Sequence, residues 1–451
     1  MTRGVSLRDT LEDVLAQALA RLGGRSMTAR AAGPLLGPGD GRVHVLALGK
    51  AAAHMAAGLH EAAGDRIART LVITKDGHAG TELEPGIMGV LSRGMIEVIE
   101  AAHPVPDARS LAAGQRALEM VTAVPEDGRL VVLLSGGGSS LAAVPAAGLA
   151  LDDKAAAVRA LLAAGAPIHA LAAVRKHLSA VKGGRLALAT RAAVRVLAIS
   201  DVVGDDPAAI AGGPFTADPT TYAEALEVLD ELAPGAASAA RVVLDEGVRG
   251  LRDETPKVGD PRLDRIELAI AAGPDAFVDA VAEALEAAGI AVLARRPRVT
   301  SSVERVVGDL LATARALASR VAATGEACAA VIGGEPTLAL HGEPGRGGRA
   351  QHAAMIAARG LVEAAALAGT PGVELVVLAA ASDGTDGPTD DAGGIVDRGS
   401  WERMARAGVD PEAALRRFDA GTALEAAGDL VTTGPTGTNV CDVYIVAAAP
   451  A

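Results

Sequence analysis

Residues 130–145 read LVVLLSGGGSSLAAVP. Five apolar residues run straight into a serine, three glycines and two more serines, and an alanine-rich helical pattern follows. A short, continuous apolar run is what a strand covered on both faces requires, which places it in a parallel sheet. Glycines at the carboxyl end of such a strand let the backbone turn tightly and bring N–H groups close to an anion. The helix that follows adds its positive N-terminus. One glycine would suffice for a plain turn; three flanked by hydroxyls favour an anion cradle built from Ser135, Gly136, Gly137, Gly138, Ser139 and Ser140.

The same grammar runs outward along the chain. Apolar runs predict strands at Val43–Leu48, 69–74, 130–134, 194–199, 266–271, 290–293, 329–332, 374–379 and 443–446. Helical spacing predicts helices at 111–121, 276–288 and 303–322. The alternation indicates an α/β protein with parallel sheets. The polar segment 252–265, RDETPKVGDPRLDR, reads as a linker. It divides a larger N-terminal domain, residues 1–251, with a Rossmann-like parallel sheet, from a smaller C-terminal α/β domain, residues 266–451.

Bulk composition narrows the function. The 451 residues are 50% hydrophobic but only 1% aromatic, so the core is aliphatic and base-stacking platforms are nearly absent. A net charge of −13 argues against nucleic acid or an anionic membrane as partner. Cys328 and Cys441 lie far apart, so neither a disulfide framework nor a cysteine zinc site is expected. The opening MTRGVSLRDTLEDVLAQALARL carries acids where a signal peptide needs an apolar centre, and reads as an amphipathic helix capped near Ser6. No apolar run approaches the length of a membrane span, and a cytoplasmic location is expected.

Familiar phosphate fingerprints can be tested directly. Walker A fails around Gly49 and Lys50, because His44 and Ala51 stand where glycine and Ser or Thr are needed. GxGxxA is matched by residues 345–350, GRGGRA, after TLALHG, which has the alternation of an exposed strand. Val174 to Ala187 reads VRKHLSAVKGGRLA, a basic cluster in an acidic chain. Its Arg175 and Lys182 fall on one helical face suited to phosphate or carboxylate. Lys50, at the end of the first apolar strand, can reach a phosphate held at the same sheet edge. ISDVVGDDP at 199–207 and ASDGTDGPTDD at 381–391 put Asp201, Asp205 and Asp383 in Gly-rich turns after strands. Acids so placed can hold Mg²⁺ or accept a proton. His103 and Asp107, in AAHPVPD, read as a prolyl turn with a structural histidine.

Taken together these motifs resemble the glycerate 2-kinases related to tartrate-utilisation proteins, of MOFRL type and once labelled hydroxypyruvate reductases. The stretches that carry the resemblance are LGKAA at 48–52, HPVPD at 103–107, LLSGGGSS at 133–140, VRKHLSAVKGGRLA at 174–187 and SDVVGDDP at 200–207. They continue with GPFTADPTT at 213–221, GGEPT at 333–337, GRGGR at 345–349, DGTDGPTD at 383–390 and TGPTGTNVCD at 433–442. The resemblance implies two α/β domains with an active site in the cleft between them. It also implies transfer of phosphate from ATP to the 2-hydroxyl of D-glycerate, with Mg²⁺. The family's lysine falls on Lys50, its SDV-GD acids on Asp201 and Asp205, and its late arginines on Arg346 and Arg349.

The expected roles follow. Lys50, Asp201 and Arg349 are catalytic; the residues of the cradle, with Arg175, Lys182 and Arg346, bind substrate or phosphate; Asp205 and Asp383 serve the metal. The expected partners are a small hydroxy acid and ATP, with a homodimer left open. The chain departs from the family pattern where Ala172 and Ala350 replace asparagines, His352 replaces glutamate and Gly212 replaces serine. Two other readings stand beside the kinase: a nicotinamide-dependent hydroxypyruvate reductase, and a ligand-binding member that has lost the chemistry.

Overall fold

The computed structural model describes residues 6–79, 96–368 and 372–451. They form two compact units, Gly24–Ala271 and a second made of Met1–Gly23 with Ala272–Ala451.

The first unit holds a six-stranded sheet. Its strands are β1 (Val43–Leu48), β2 (Ile67–Lys75), β3 (Ile96–Ala101), β4 (Arg129–Leu134), β5 (Ala193–Ile199) and β6 (Ile266–Ala272). They lie in the order β3-β2-β1-β4-β5-β6, the order of a Rossmann sheet. β1 pairs in parallel with both β2 and β4, β2 with β3, and β4 with β5. Val45, Leu46, Val131, Val132 and Leu133 are completely buried. Each such aliphatic side chain contributes roughly 1.5–3 kcal/mol over an exposed one, so a core almost without aromatic residues is sufficient. A helical layer, Leu151–Ala163, Ile168–His177, Tyr222–Leu232 and Ser238–Val248, has a small core of its own around Leu161, Val174, Leu229 and Leu244.

The second unit contains another six-stranded sheet, ordered β11-β10-β9-β12-β8-β7. These strands are β7 (Ala291–Val299), β8 (Cys328–Gly334), β9 (Val373–Ala381), β10 (Gly393–Asp397), β11 (Leu430–Val431) and β12 (Asp442–Pro450). Here the expectation of a parallel sheet needs correction. Only β7 and β8 pair in parallel; β12 is antiparallel to both β8 and β9, and β10 is antiparallel to β9 and β11. The Gly-rich loop between β9 and β10 is too short for a helical crossover, so the chain returns antiparallel.

The units also divide the chain differently from the expected 1–251 and 266–451. The helix Leu7–Arg21 is capped by Ser6, as its sequence indicates, but it belongs with the C-terminal part. Leu11, Val14 and Leu15 are buried, and Arg8 donates to Asp397 and Asp429 at 2.9 Å each. Residues 252–265 are not a free linker. Glu254 and Thr255 bond His177 and Asp218, and Arg265 donates to the carbonyls of Ala187 and Thr190. The segment then enters the first sheet as β6.

Candidate active site

In an open α/β sheet the ligand crevice lies beyond the carboxyl ends of the strands, where the strand order reverses. In the first unit that point is between β1 and β4, and the two motifs that end those strands meet there. The Lys50 N–H donates to the Gly136 carbonyl at 3.0 Å, and the Ala51 N–H to Ser135 Oγ at 3.0 Å. Gly49 has φ of +129°, and a Cβ on it would stand 2.2 Å from Ser135 Oγ, so only glycine allows this approach. Gly137 adopts φ of +84°, and a Cβ there would lie 3.1 Å from Lys50 Cγ and 3.2 Å from His103 Cδ2. His103, read from sequence as structural, therefore flanks the cradle beside Lys50.

The basic motif arrives from the helix Ile168–His177 and the turn after it. Arg175 donates to Ser139 Oγ at 2.6 Å, and Lys182 Nζ to the Ser139 carbonyl at 2.5 Å and the Ala142 carbonyl at 3.3 Å. Its other three basic residues have other partners: Lys176 pairs with Asp218 at 3.1 Å, His177 Nε2 lies 2.8 Å from Glu254, and Arg185 donates to the Tyr222 hydroxyl at 2.9 Å. Burial lowers the Arg175 pKa. Burial, then the charges of Lys154 and Arg175, push Lys182 well below the usual lysine range. Lys154 was not singled out in the sequence, where LDDKAAAV reads as an ordinary helix start.

Asp201 follows β5, the neighbour of β4, and so stands at the same edge of the sheet. Ser200 caps this turn, accepting from the Val202 N–H at 3.2 Å. Asp205 has φ of +56°, and its buried Oδ1 has no hydrogen-bond partner among the described residues. An orphaned carboxylate oxygen fits a divalent cation shared with ligand phosphates. Among the described residues no group of three or more His, Cys, Asp or Glu forms an all-protein metal cage. Gly212 faces Lys182: a Cβ on it would be 3.0 Å from Lys182 Cδ.

The remaining expected residues lie in the second unit. Arg349 is clamped, its Nε and NH2 donating to both oxygens of Asp442 and its NH1 to Glu335 at 3.0 Å. Arg346 pairs with Asp391 at 2.8 Å and with Glu425. Asp383 accepts from the Thr385 N–H at 3.0 Å. Asp386 caps the helix Arg349–Ala368, accepting from the N–H groups of Ala350 (3.1 Å) and Gln351 (2.7 Å). Burial is the main cause that raises the Asp386 pKa to about 7; those N–H donors oppose it and the Asp442 charge reinforces it. His352 stacks on Phe418 at 5.2 Å, and its pKa is lowered chiefly by burial. TLALHG forms no strand, and a carboxylate already occupies the helix N-terminus that GxGxxA would offer to a pyrophosphate. The dinucleotide fingerprint therefore lacks its structural context.

A Rossmann-ordered sheet with basic side chains and a glycine turn gathered at its switch point defines a two-unit α/β protein whose switch point is suited to small anions. Known proteins place it further. Residues 9–244 match the family described as a domain of unknown function (DUF4147), and residues 328–442 match the MOFRL family. A glycerate 2-kinase of Pyrococcus horikoshii is 34% identical over 90% of this chain and 87% of its own. A chain of Agrobacterium vitis, provisionally named hydroxypyruvate reductase, is 40% identical over 90% of this chain and 87% of its own. The crystal structure of glycerate kinase from Thermotoga maritima superposes with a TM-score of 0.78 at 31% identity, covering 98% of this chain and 99% of that one. The chain belongs to the glycerate 2-kinase family. No helix among the described residues is long and apolar enough to cross a membrane.

Proposed function

We propose that the protein is an ATP-dependent kinase that phosphorylates the 2-hydroxyl of D-glycerate, giving 2-phosphoglycerate and ADP. The observation that carries this reading is the meeting of Lys50, the glycine cradle, Arg175 and Lys182 at the carboxyl edge of β1 and β4. Phosphoryl transfer asks little covalent chemistry of a protein; it needs positioning and neutralisation of charge. Backbone N–H groups and cations of the cradle hold an anionic oxygen cluster, and Lys50 neutralises charge as the bond to the leaving group breaks. Asp201 accepts the proton of the attacking hydroxyl. Asp205 is the residue that would hold Mg²⁺, which would offset phosphate charge. Arg349, fixed by Asp442 and Glu335, acts by positioning the start of its helix; Arg346 lies in the Gly-rich segment just before that helix, and Asp383 in the Gly-rich loop between β9 and β10.

The reductase reading is disfavoured by the capped helix at residues 345–350. ADP release on adding D-glycerate and Mg·ATP tests the kinase, with phosphorus NMR distinguishing the 2- from the 3-phosphate. NADH oxidation by hydroxypyruvate without ADP release would replace this reading with the reductase. Binding of ATP or glycerate with neither reaction would make the chain a ligand-binding relative.

A further inference from the structure

Lys154 lies on the buried stripe of the helix Leu151–Ala163, in line with Ala157 and Leu161. The residue is 6% exposed, and its Nζ is buried without a hydrogen-bond partner among the described residues. Among the described residues the titratable groups that face it are Arg175, from the helix Ile168–His177, and Lys182, from the turn beyond; both are basic. Among the described residues none of the three has a carboxylate partner. Buried charge without a counter-ion is costly. Acids are not in short supply, since the chain has 55 against 42 lysines and arginines. The adjacent buried cation Lys176 does have its acid, Asp218.

We propose that Lys154 joins Arg175 and Lys182, which meet at Ser139, in one receptor for a phosphoryl dianion. Three basic side chains, able to take up protons as the ligand arrives, match a dianion better than the single charge of a carboxylate. Ser139 supplies the meeting point, its hydroxyl held by Arg175 and its carbonyl by Lys182. Burial, followed by the Arg175 charge, pushes Lys154 down to about 7, so an arriving dianion draws a proton onto it near neutral pH. The receptor rests on the kinase reading only for its source of phosphoryl groups, the nucleotide or the phosphorylated product.

Inorganic sulfate is the probe, a dianion with no proton to exchange near neutrality. Calorimetric titration in buffers of different ionisation enthalpy should show proton uptake by the wild type, with binding weaker at about pH 8.5 than at about pH 6.5. Lys154→Met should bind sulfate at least ~10-fold more weakly and without proton uptake, while melting no lower than the wild type. Equal sulfate binding by variant and wild type, or none by the wild type, overturns the proposal. Should the variant fail to fold, absence of proton uptake by the wild type overturns it instead. ATP and 2-phosphoglycerate, titrated the same way, name the source by which of them loses affinity in the variant. Loss confined to D-glycerate would make this a carboxylate pocket and overturn the phosphoryl assignment. A wild type that binds sulfate through Lys154 yet releases no ADP keeps the receptor and refutes the kinase.

Discussion

Lys50 is the residue whose position most constrains the chemistry. Its backbone is tied to Gly136 and its side chain lies against Gly137, so it cannot be displaced without moving the cradle. Lys50→Ala should lower kcat by about 10²–10³-fold, the usual loss for one preorganised charge-stabilising group, with an unchanged circular dichroism spectrum. Near-native turnover would remove Lys50 from the mechanism. The sequence made Lys50, Arg175 and Lys182 visible because each stands beside a glycine turn or in a basic run. It hid Lys154, since nothing local marks a lysine whose helix face turns inward, and it marked His103 without its place beside the cradle, since its neighbour Gly137 lies some thirty residues away.

At the scale of elements, the helix Ile168–His177 delivers Arg175 only because its last turn is pinned on the opposite side. Three consecutive basic residues divide their work: Arg175 turns to Ser139, Lys176 to Asp218 and His177 to Glu254. Burial pushes the Glu254 carboxyl up, but the N–H groups of Tyr222 and Thr255 and the His177 ring outweigh it and hold it at about 2. Because the folded pKa is depressed, this anchor stabilises the protein above the unfolded glutamate pKa of ~4.3. Its contribution is lost as the pH falls from there through about 2. Glu254→Gln should lower the neutral melting temperature and flatten the acid side of its pH profile; an unchanged profile would contradict the anchor. The strongly apolar strands were legible, whereas β3, β10 and β11 were not. β3 reads IEVIEA, with acids spaced along an edge strand, and β10 opens with two glycines that look like part of the preceding loop. Periodicity reports burial, and these strands are marked instead by their partners.

For the molecule as a whole, two sheets of equal strand number are built by different rules. In the first unit β1 to β5 pair in parallel, as the alternation of strand and helix indicates, whereas the strand order is read from the structure. The mixed order of the second depends on β12, which sits between β8 and β9 and pairs with both. Asp442 at its start also supplies the carboxylate that clamps Arg349, and the buried Tyr444 donates to that carboxylate at 3.0 Å. A chain ending at Cys441 should lose the calorimetric transition of the second unit while the parallel sheet of the first still forms. A full-size second transition in that truncated chain would contradict the central role of β12.

The position of that strand bears on how the protein is made. Its slot opens as soon as β8 and β9 have left the ribosome, yet the segment that fills it is the last of the described strands to be translated. Until then two apolar edges stand apart with their backbone groups unpaired, the kind of template on which neighbouring nascent chains can zip together. Among its described strands the first sheet has no such gap, so the hazardous interval in the birth of this molecule falls between the emergence of β9 and that of β12.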